Sequence, residues 1–504
     1  MQYAATHLFQ ILIHAFERIG GPFAKSLARI GIDCKLRLVD SSQYVERLRN
    51  HNFDMVVQSF PQSRSPGNEQ REYWGSKAAE DPGSRNIIGI QSKAIDTLVD
   101  ACPDGGAVIA GLRAFEILDS RGRPTVEAEV ALDDGTVARA SVPSGASTGR
   151  HEAVELRDGG ERYRGLGVRR AVAHVEGEIA ERLRGLDEGD QAAIDAALVA
   201  LDGTPDRSRL GANAILATSV AVARAAAARR DVPLWRHLGG EGALPRPMVN
   251  ALSGGLHAGR SVDVQDYLAI PVGAATFPEA IEDVAAVLAC LADELAARGR
   301  TLLRADEGGF AAFGENEDGL ELLALAIERS GRDVAIGLDV AASHFAVDAA
   351  WGEVVRGWID RYPIVSVEDP FGEDDWALWP DFTAAVGDRV QVIGDDLLCT
   401  QLDRLERAIA EGTANAVLVK ANQVGTLTEA LAVARRARAA GWRAVVSARS
   451  GETEDDWLAD LAIAAGPAQL KVGSLTQSER LAKYNRLLRE SALHGGELTP
   501  WGAA

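Results

Sequence analysis

Short apolar runs that each end in a charged residue dominate the chain between Ala335 and Arg449. Ala335-Ile336-Gly337-Leu338 leads into Asp339, and Ile364-Val365-Ser366-Val367 into Glu368. Val392-Ile393-Gly394 leads into Asp395, and Ala416-Val417-Leu418-Val419 into Lys420. Ala444-Val445-Val446-Ser447 reaches Arg449 after one further residue, Ala448. The charges fall about 25–30 residues apart, with helical patterns in the gaps. Eight strand–helix units in about 250 residues have this rhythm and close into a barrel whose functional residues sit where strands end. Three acids, a lysine and an arginine at successive strand ends therefore predict one convergent site on an α/β barrel.

The rest of the chain divides around that pattern. Phe16, Ile19, Phe23, Leu27 and Ile30 recur at helical spacing, and Cys34, Leu36 and Leu38 alternate as in a strand. A helix near 43–49, a strand over 53–57 and a turn at Ser65-Pro66-Gly67-Asn68 follow. Asp104-Gly105-Gly106 reads as a junction. From Ala107 the pattern predicts an antiparallel meander, with strands ending in Asp119-Ser120-Arg121-Gly122 and over 125–132 and 138–142. Helices over 171–183, 191–201 and 212–229 complete a small α+β domain ending near Ala243. The barrel pattern starts at Pro247-Met248-Val249-Asn250, and Val264-Gln265-Asp266-Tyr267 enters its second strand. Thr301 to Ala305 precede Asp306-Glu307-Gly308-Gly309, and Ala468-Gln469-Leu470 runs into Lys471. The expected units are 1–103, 107–243 and 244–504.

Composition narrows the function. With 504 residues, 46% of them hydrophobic, the chain can bury large cores in several domains. A net charge of −20 argues against nucleic acid as a partner and requires any anionic substrate to meet a local cationic pocket or metal ions. Cys34, Cys102, Cys290 and Cys399 are scattered without a C-x-x-C, which fits a reducing, cytoplasmic compartment. No apolar run approaches a membrane span. Residues 1–22 lack the basic leader and small-residue cleavage site of a signal peptide.

The strand-end residues specify a chemistry. Asp339, Glu368 and Asp395 without counter-charge would repel one another, and a hard divalent cation relieves that conflict. Oxygen ligands alone suit Mg²⁺. Lys420, beside a metal and other cations, is expected to have a lowered pKa and to act as a base. Arg449 offers a planar fork for phosphate or carboxylate, Lys471 adds positive charge, and Glu307 is placed as an acid. The implied reaction is proton abstraction beside a carboxylate, followed by departure of a hydroxyl.

Between about Ala107 and Glu497 these motifs resemble the enolase family. The carriers are E-I-L-D-S-R-G at Glu116, P-S-G-A-S-T-G at Pro143, G-A-N-A-I-L-A at Gly211 and D-E-G-G at Asp306. Y-P-I-V-S-V-E-D-P-F at Tyr362, G-D-D-L at Gly394, R-S-G-E-T-E-D at Arg449 and the Lys471 segment continue the series. The resemblance implies Mg²⁺-dependent interconversion of 2-phosphoglycerate and phosphoenolpyruvate, with two metal ions per site. Asp339, Glu368 and Asp395 would hold the first ion, and Ser147 would join the second. Lys420 would be the base and Glu307 the acid. His257, Asp266, Arg449, Ser450 and Lys471 would bind substrate, with Glu368 and Asp395 beside it. The family also implies a homodimer and, besides the cytoplasm, a cell-surface or secreted fraction.

The chain departs from that pattern at several positions. Ala448 stands where the family has a histidine, Asp266 where it has glutamate, Ser253 where it has asparagine and His344 where it has glutamate. The connection from Phe345 to Arg361 is shorter, and Phe115 replaces an arginine that helps pair two subunits. A shorter acid at 266 withdraws a carboxylate by about one methylene, and misplacement by about 1 Å costs on the order of 100-fold in rate. Two alternatives to an active enolase follow: an enzyme of the same superfamily on a related acid, and a catalytically weak paralogue serving as a binding or surface protein. Separately, residues 1–103 resemble the C-terminal part of oligopeptide-type solute-binding proteins of ABC transporters. The carriers are A-F-E-R-I at Ala15, L-A-R-I-G-I-D at Leu27, F-D-M-V-V at Phe53 and S-P-G-N-E-Q at Ser65. One piece of one lobe is not expected to clamp a ligand.

Overall fold

The apolar runs fold as strands in the computed structural model, and the helical patterns between them as helices. The structure describes residues 107–145, 149–345 and 347–502, and, before these, 6–11, 24–30, 33–38, 55–56, 73–74, 76–79, 86 and 91–96. The chain separates into two units, 1–107 and 108–504. In the first, strands Thr6–Ile11, Asp33–Leu38 and Met55–Val56 pair in parallel, with Thr6–Ile11 central. The helix expected over 43–49 and the turn at 65–68 lie outside the described residues.

The second unit opens with an antiparallel meander of β1 (Ile109–Leu118), β2 (Pro124–Leu132) and β3 (Val137–Ser141). Helix α1 (Gln191–Asp202) is N-capped by the Asp190 carboxylate, and α2 (Ala212–Arg229) packs on β2 and β3. Alanines let α2 sit close to its neighbours, and almost all of its residues are buried. The expected single helix over 171–183 is interrupted instead. A π-turn over Val175–Ile179 separates Arg169–His174 from Ala180–Leu183, with Gly177 outside helical backbone angles.

The barrel comprises β4 (Arg246–Pro247), β5 (Val249–Ser253), β6 (Asp266–Ile270), β7 (Phe310–Ala311), β8 (Ala335–Asp339), β9 (Ile364–Glu368), β10 (Gln391–Gly394), β11 (Ala416–Val419), β12 (Arg443–Ser447) and β13 (Gln469–Lys471). The sheet order is β7-β5-β6-β8-β9-β10-β11-β12-β13-β4. Met248, between β4 and β5, donates its backbone N–H to Leu470 at 2.8 Å, and Asn250 donates to Gly473 at 3.2 Å, which closes the sheet on itself. Met248, Leu268, Ile270, Ile393, Ala416, Leu418 and Val445 form its apolar core. The outer helices include α3 (Phe277–Ala297), α4 (Asn316–Ser330), α5 (Ala349–Arg361), α6 (Trp379–Val386), α7 (Leu402–Glu411), α8 (Leu427–Ala439), α9 (Trp457–Ala464) and α10 (Ser478–His494).

One strand breaks the uniform parallel pattern. β6 runs antiparallel to both β5 and β8. The connection from β5 to β6 contains one short 3₁₀ turn, Gly255–Ala258, and no crossover helix, so the chain returns as a hairpin. An antiparallel strand begins at the rim where its neighbours end. Asp266, first in β6, therefore pairs with Asp339, last in β8. In the stretch 301–305 only Arg304 pairs, in an isolated antiparallel bridge to Phe310, where the strand proper begins.

Candidate active site

The strand ends converge as the spacing predicts. Lys471, last in β13, places Nζ 2.7 Å from Asp339 Oδ2 and 2.7 Å from Glu368 Oε2. Lys420, just past β11, bonds Asp395 Oδ2 through its own ammonium. Gln265 donates from Nε2 to Asp339 Oδ2 at 3.1 Å, and Gln423 to Asp395 Oδ1 at 3.1 Å. The Asp395 loop is fixed from behind, because the Asp369 carboxylate accepts the N–H groups of Asp395 at 2.9 Å and Asp396 at 2.7 Å.

Burial sets the charges. It pushes the Glu368 carboxyl well above its usual range, and Asp339 adds to this against the opposing Lys471 charge. Burial works the same way on Asp339, but its bonds to Lys471 and Gln265 prevail and hold it below its ordinary value. Lys420 differs from the expectation of a lowered pKa. Burial works downward, yet the Asp395 carboxylate outweighs it and holds the ammonium above its ordinary value.

Arg449 presents its fork to Glu152, with Nη1 2.8 Å from Oε2 and Nη2 3.2 Å from Oε1, while Nη1 also reaches Asn422 Oδ1 at 3.0 Å. Ser450 Oγ accepts from Arg121 at 3.2 Å. Arg480, fully buried on α10, donates to the backbone oxygens of Arg449 at 2.8 Å and Ser450 at 2.6 Å, which fixes this loop. The meander roofs the site: Ser144 and Gly451 exchange backbone hydrogen bonds of 2.7 and 3.0 Å, and Arg121 reaches Ser144 and Gly145 oxygens. Ser147 lies outside the described residues.

Across the barrel, His257 Nδ1 is 3.0 Å from Asp266 Oδ2, and Nε2 is 4.0 Å from Glu307 Oε1. Burial disfavours the imidazolium, but Asp266 and Glu307 outweigh it and hold the ring up at about 9. Glu307 is lowered to about 2: burial opposes ionisation, and His257, Arg480 and the two lysines overcome it. Burial raises the Asp266 carboxyl despite the charge of His257 beside it. Ala448 is buried and offers only a methyl group, and His344 Nε2 is buried without a hydrogen-bond partner among the described residues.

The donor set fits a divalent cation. Three buried carboxyl groups face two ammonium groups, and a cation among them would favour the ionised form of Glu368, which burial disfavours. Glu368 Oε1 and Gln265 Oε1 are buried with no hydrogen-bond partner among the described residues. Two adjoining groups, Asp369–Asp395–Asp396 and His257–Asp266–Glu307, also bring ligand atoms within 4.8 Å of one another. Such a rim can hold a hard cation beside a lysine and an arginine.

Residues 109–238 match the family model of the enolase N-terminal domain, and residues 241–351 and 349–498 that of the enolase C-terminal TIM barrel domain. The chain belongs to the enolase family. Its barrel carries the acids and lysines of the strand-end pattern on one rim. Glu152, Asp369, Gln265 and Arg480 escaped the sequence reading. The E-D-P-F and G-D-D-L motifs did carry Asp369 and Asp396, but only the first acid of each motif entered the metal set. Nothing local marks Glu152 as the partner of Arg449, 297 residues away.

Proposed function

We propose that the chain is an enolase that reversibly dehydrates 2-phosphoglycerate to phosphoenolpyruvate, with Mg²⁺ as cofactor, in cytoplasmic glycolysis. The observation that carries the reading is the joint burial of Asp339, Glu368 and Asp395 around the Lys471 and Lys420 ammonium groups. Those three acids would hold one ion, and Ser147 would take part in a second site. Magnesium bound there supplies positive charge against the negative charge that builds on the substrate carboxylate.

The side chains divide the remaining work. Lys420 takes the α-proton as a neutral amine. Its present charge is supported by Asp395, so deprotonation requires that carboxylate to be engaged elsewhere, leaving the Arg449 charge to push the lysine down. Arg449, Ser450 and Lys471 bind the anionic groups, and a substrate anion competes with Glu152 for the Arg449 fork. Glu307, with His257 beside it, serves the departing hydroxyl. Asp266 has no exposed surface, so its part is played through His257. The likeness of residues 1–103 to a solute-binding lobe rests on sequence alone, and one piece of one lobe supplies no ligand clamp. Phe115 leaves a homodimer without one of the arginine contacts that the family uses.

An ultraviolet assay for phosphoenolpyruvate with Mg²⁺ tests the reading; no signal at high enzyme concentration rules it out. Lys420→Ala should abolish exchange of the substrate α-proton with solvent, while Glu307→Gln should leave part of it. Equal loss in both would overturn the division of roles. The buried methyl of Ala448 favours one second reading, a related acid substrate that needs no imidazole at that point.

A further inference from the structure

The Asp266 carboxylate is wholly committed to protein donors. Oδ1 lies 2.7 Å from Asn250 Nδ2 and 2.8 Å from Ser253 Oγ, and Oδ2 lies 3.0 Å from His257 Nδ1. Asn250, Ser253 and Asp266 are each fully buried. Ser253 and Asp266 are register partners across the β5–β6 hairpin, so the backbone brings the hydroxyl to the acid.

Counting protons fixes the direction of each bond. Ser253 has one hydroxyl proton and two acceptors in reach, Asp266 Oδ1 at 2.8 Å and Asn250 Oδ1 at 3.3 Å. The nearer, charged acceptor takes it. Asn250 Nδ2 has two protons, one for Asp266 and one for the Ser253 oxygen at 3.1 Å. An ionised carboxylate only accepts, so His257 Nδ1 carries a proton and the ring turns Nε2 toward Glu307. The charges that bear on His257 are Asp266, Glu307 and Asp339, with His344 also in range.

We propose that Ser253 is a positioning residue for the proton-donating side of the site. With Asn250 it clamps the Asp266 side chain, which in turn holds His257 with Nε2 directed at Glu307. The terminal torsion of an aspartate is broad, and one pin less lets the carboxylate swing. The inference rests on the enolase reading above. In that reaction the hydroxyl leaves with its C–O electron pair, takes the proton carried on His257 Nε2, which faces the ionised Glu307, and departs as water, leaving the ring neutral. The electrons of the broken C–H bond close the double bond, and the abstracted proton stays on Lys420. Ser253 acts only on the hydroxyl's departure.

The test compares the full-length wild type, Ser253→Ala and Asp266→Asn with Mg²⁺ and 2-phosphoglycerate. Ser253→Ala should slow phosphoenolpyruvate formation about 10- to 100-fold. Exchange of the α-proton with solvent should stay within about threefold of wild type, because Lys420 is untouched. In ¹⁵N-histidine-labelled protein, the wild-type His257 Nδ1–H should resonate far downfield, broaden in Ser253→Ala and vanish in Asp266→Asn. Should Ser253→Ala fail to fold, Ser253→Cys keeps the volume with a weak donor and carries the same expectation. Equal loss of both rates, unchanged dehydration, or an unchanged Nδ1–H signal in Ser253→Ala overturns the proposal. A wild type that neither exchanges nor dehydrates overturns the enolase reading instead, and the resonance then decides the clamp by itself.

Discussion

Replacing Lys471 by methionine tests the centre of the site without reference to catalysis. Methionine keeps the stem and removes the ammonium that lies 2.7 Å from both Asp339 Oδ2 and Glu368 Oε2. The side chains are 7%, 4% and 1% exposed, which puts the cluster in the buried regime, where breaking a pair costs about 3–5 kcal/mol. At about 2.1 cal/mol/K per residue, the unit 108–504 unfolds with an entropy on the order of 0.8 kcal/mol/K. The Tm of Lys471→Met in chelator should therefore fall by about 4–6 °C by calorimetry. Added Mg²⁺ should then recover more for the variant than for wild type, since Lys471 Nζ and a cation compete for the same oxygens. At about one hundred times Kd, ligand linkage contributes about 2.7 kcal/mol, or about 3 °C here. A variant as stable as wild type in chelator would refute the buried cluster. Equal Mg²⁺ increments in both proteins would refute the shared seat.

The remaining predictions concern pH and packing. His257 is raised to about 9 in the fold from an ordinary value of 6.5, so its contribution is full below pH 6.5 and is lost as pH rises through 9. That span corresponds to about 3 kcal/mol; urea unfolding at pH 6 and 9.5 should show the loss in wild type and a flatter profile in Asp266→Asn, and parallel profiles would count against it. Gly319→Ala on α4 would put a methyl 2.6 Å from Tyr267 Cζ, against a buried ring, and should destabilise by about 1–3 kcal/mol in thermal melts. Gly357→Ala on α5 meets nothing within 4 Å and should stabilise by about 0.5–1 kcal/mol; if both glycines respond alike, helix propensity rather than the ring contact governs.

The barrel and its rim were legible because buried parallel strands are short apolar runs, and a charge that ends one has few places to go except the rim. The reversed direction of β6 was not. Its hydrophobic run, Tyr267-Leu268-Ala269-Ile270, suits a buried strand of either sense. The usable signal was negative: residues 254–265 contain no helical repeat long enough for a crossover. Lys420 was read from its cationic neighbours, yet its nearest partner is the acid of the preceding strand. The break at Gly177 shows the limit of periodicity, since Val175 and Ile179 keep helical spacing across a turn that is not α-helical.

The backbone exchange between Ser144 and Gly451 carries a consequence for inheritance as well as for stability. The pocket's ceiling is made by one module and its floor by another, and at Gly451 an added side chain would press on the Ser144 oxygen at 2.7 Å. Neither module alone encloses a reaction chamber, so recombination that traded one half for a distant cousin's would break the seam before it touched a single catalytic group.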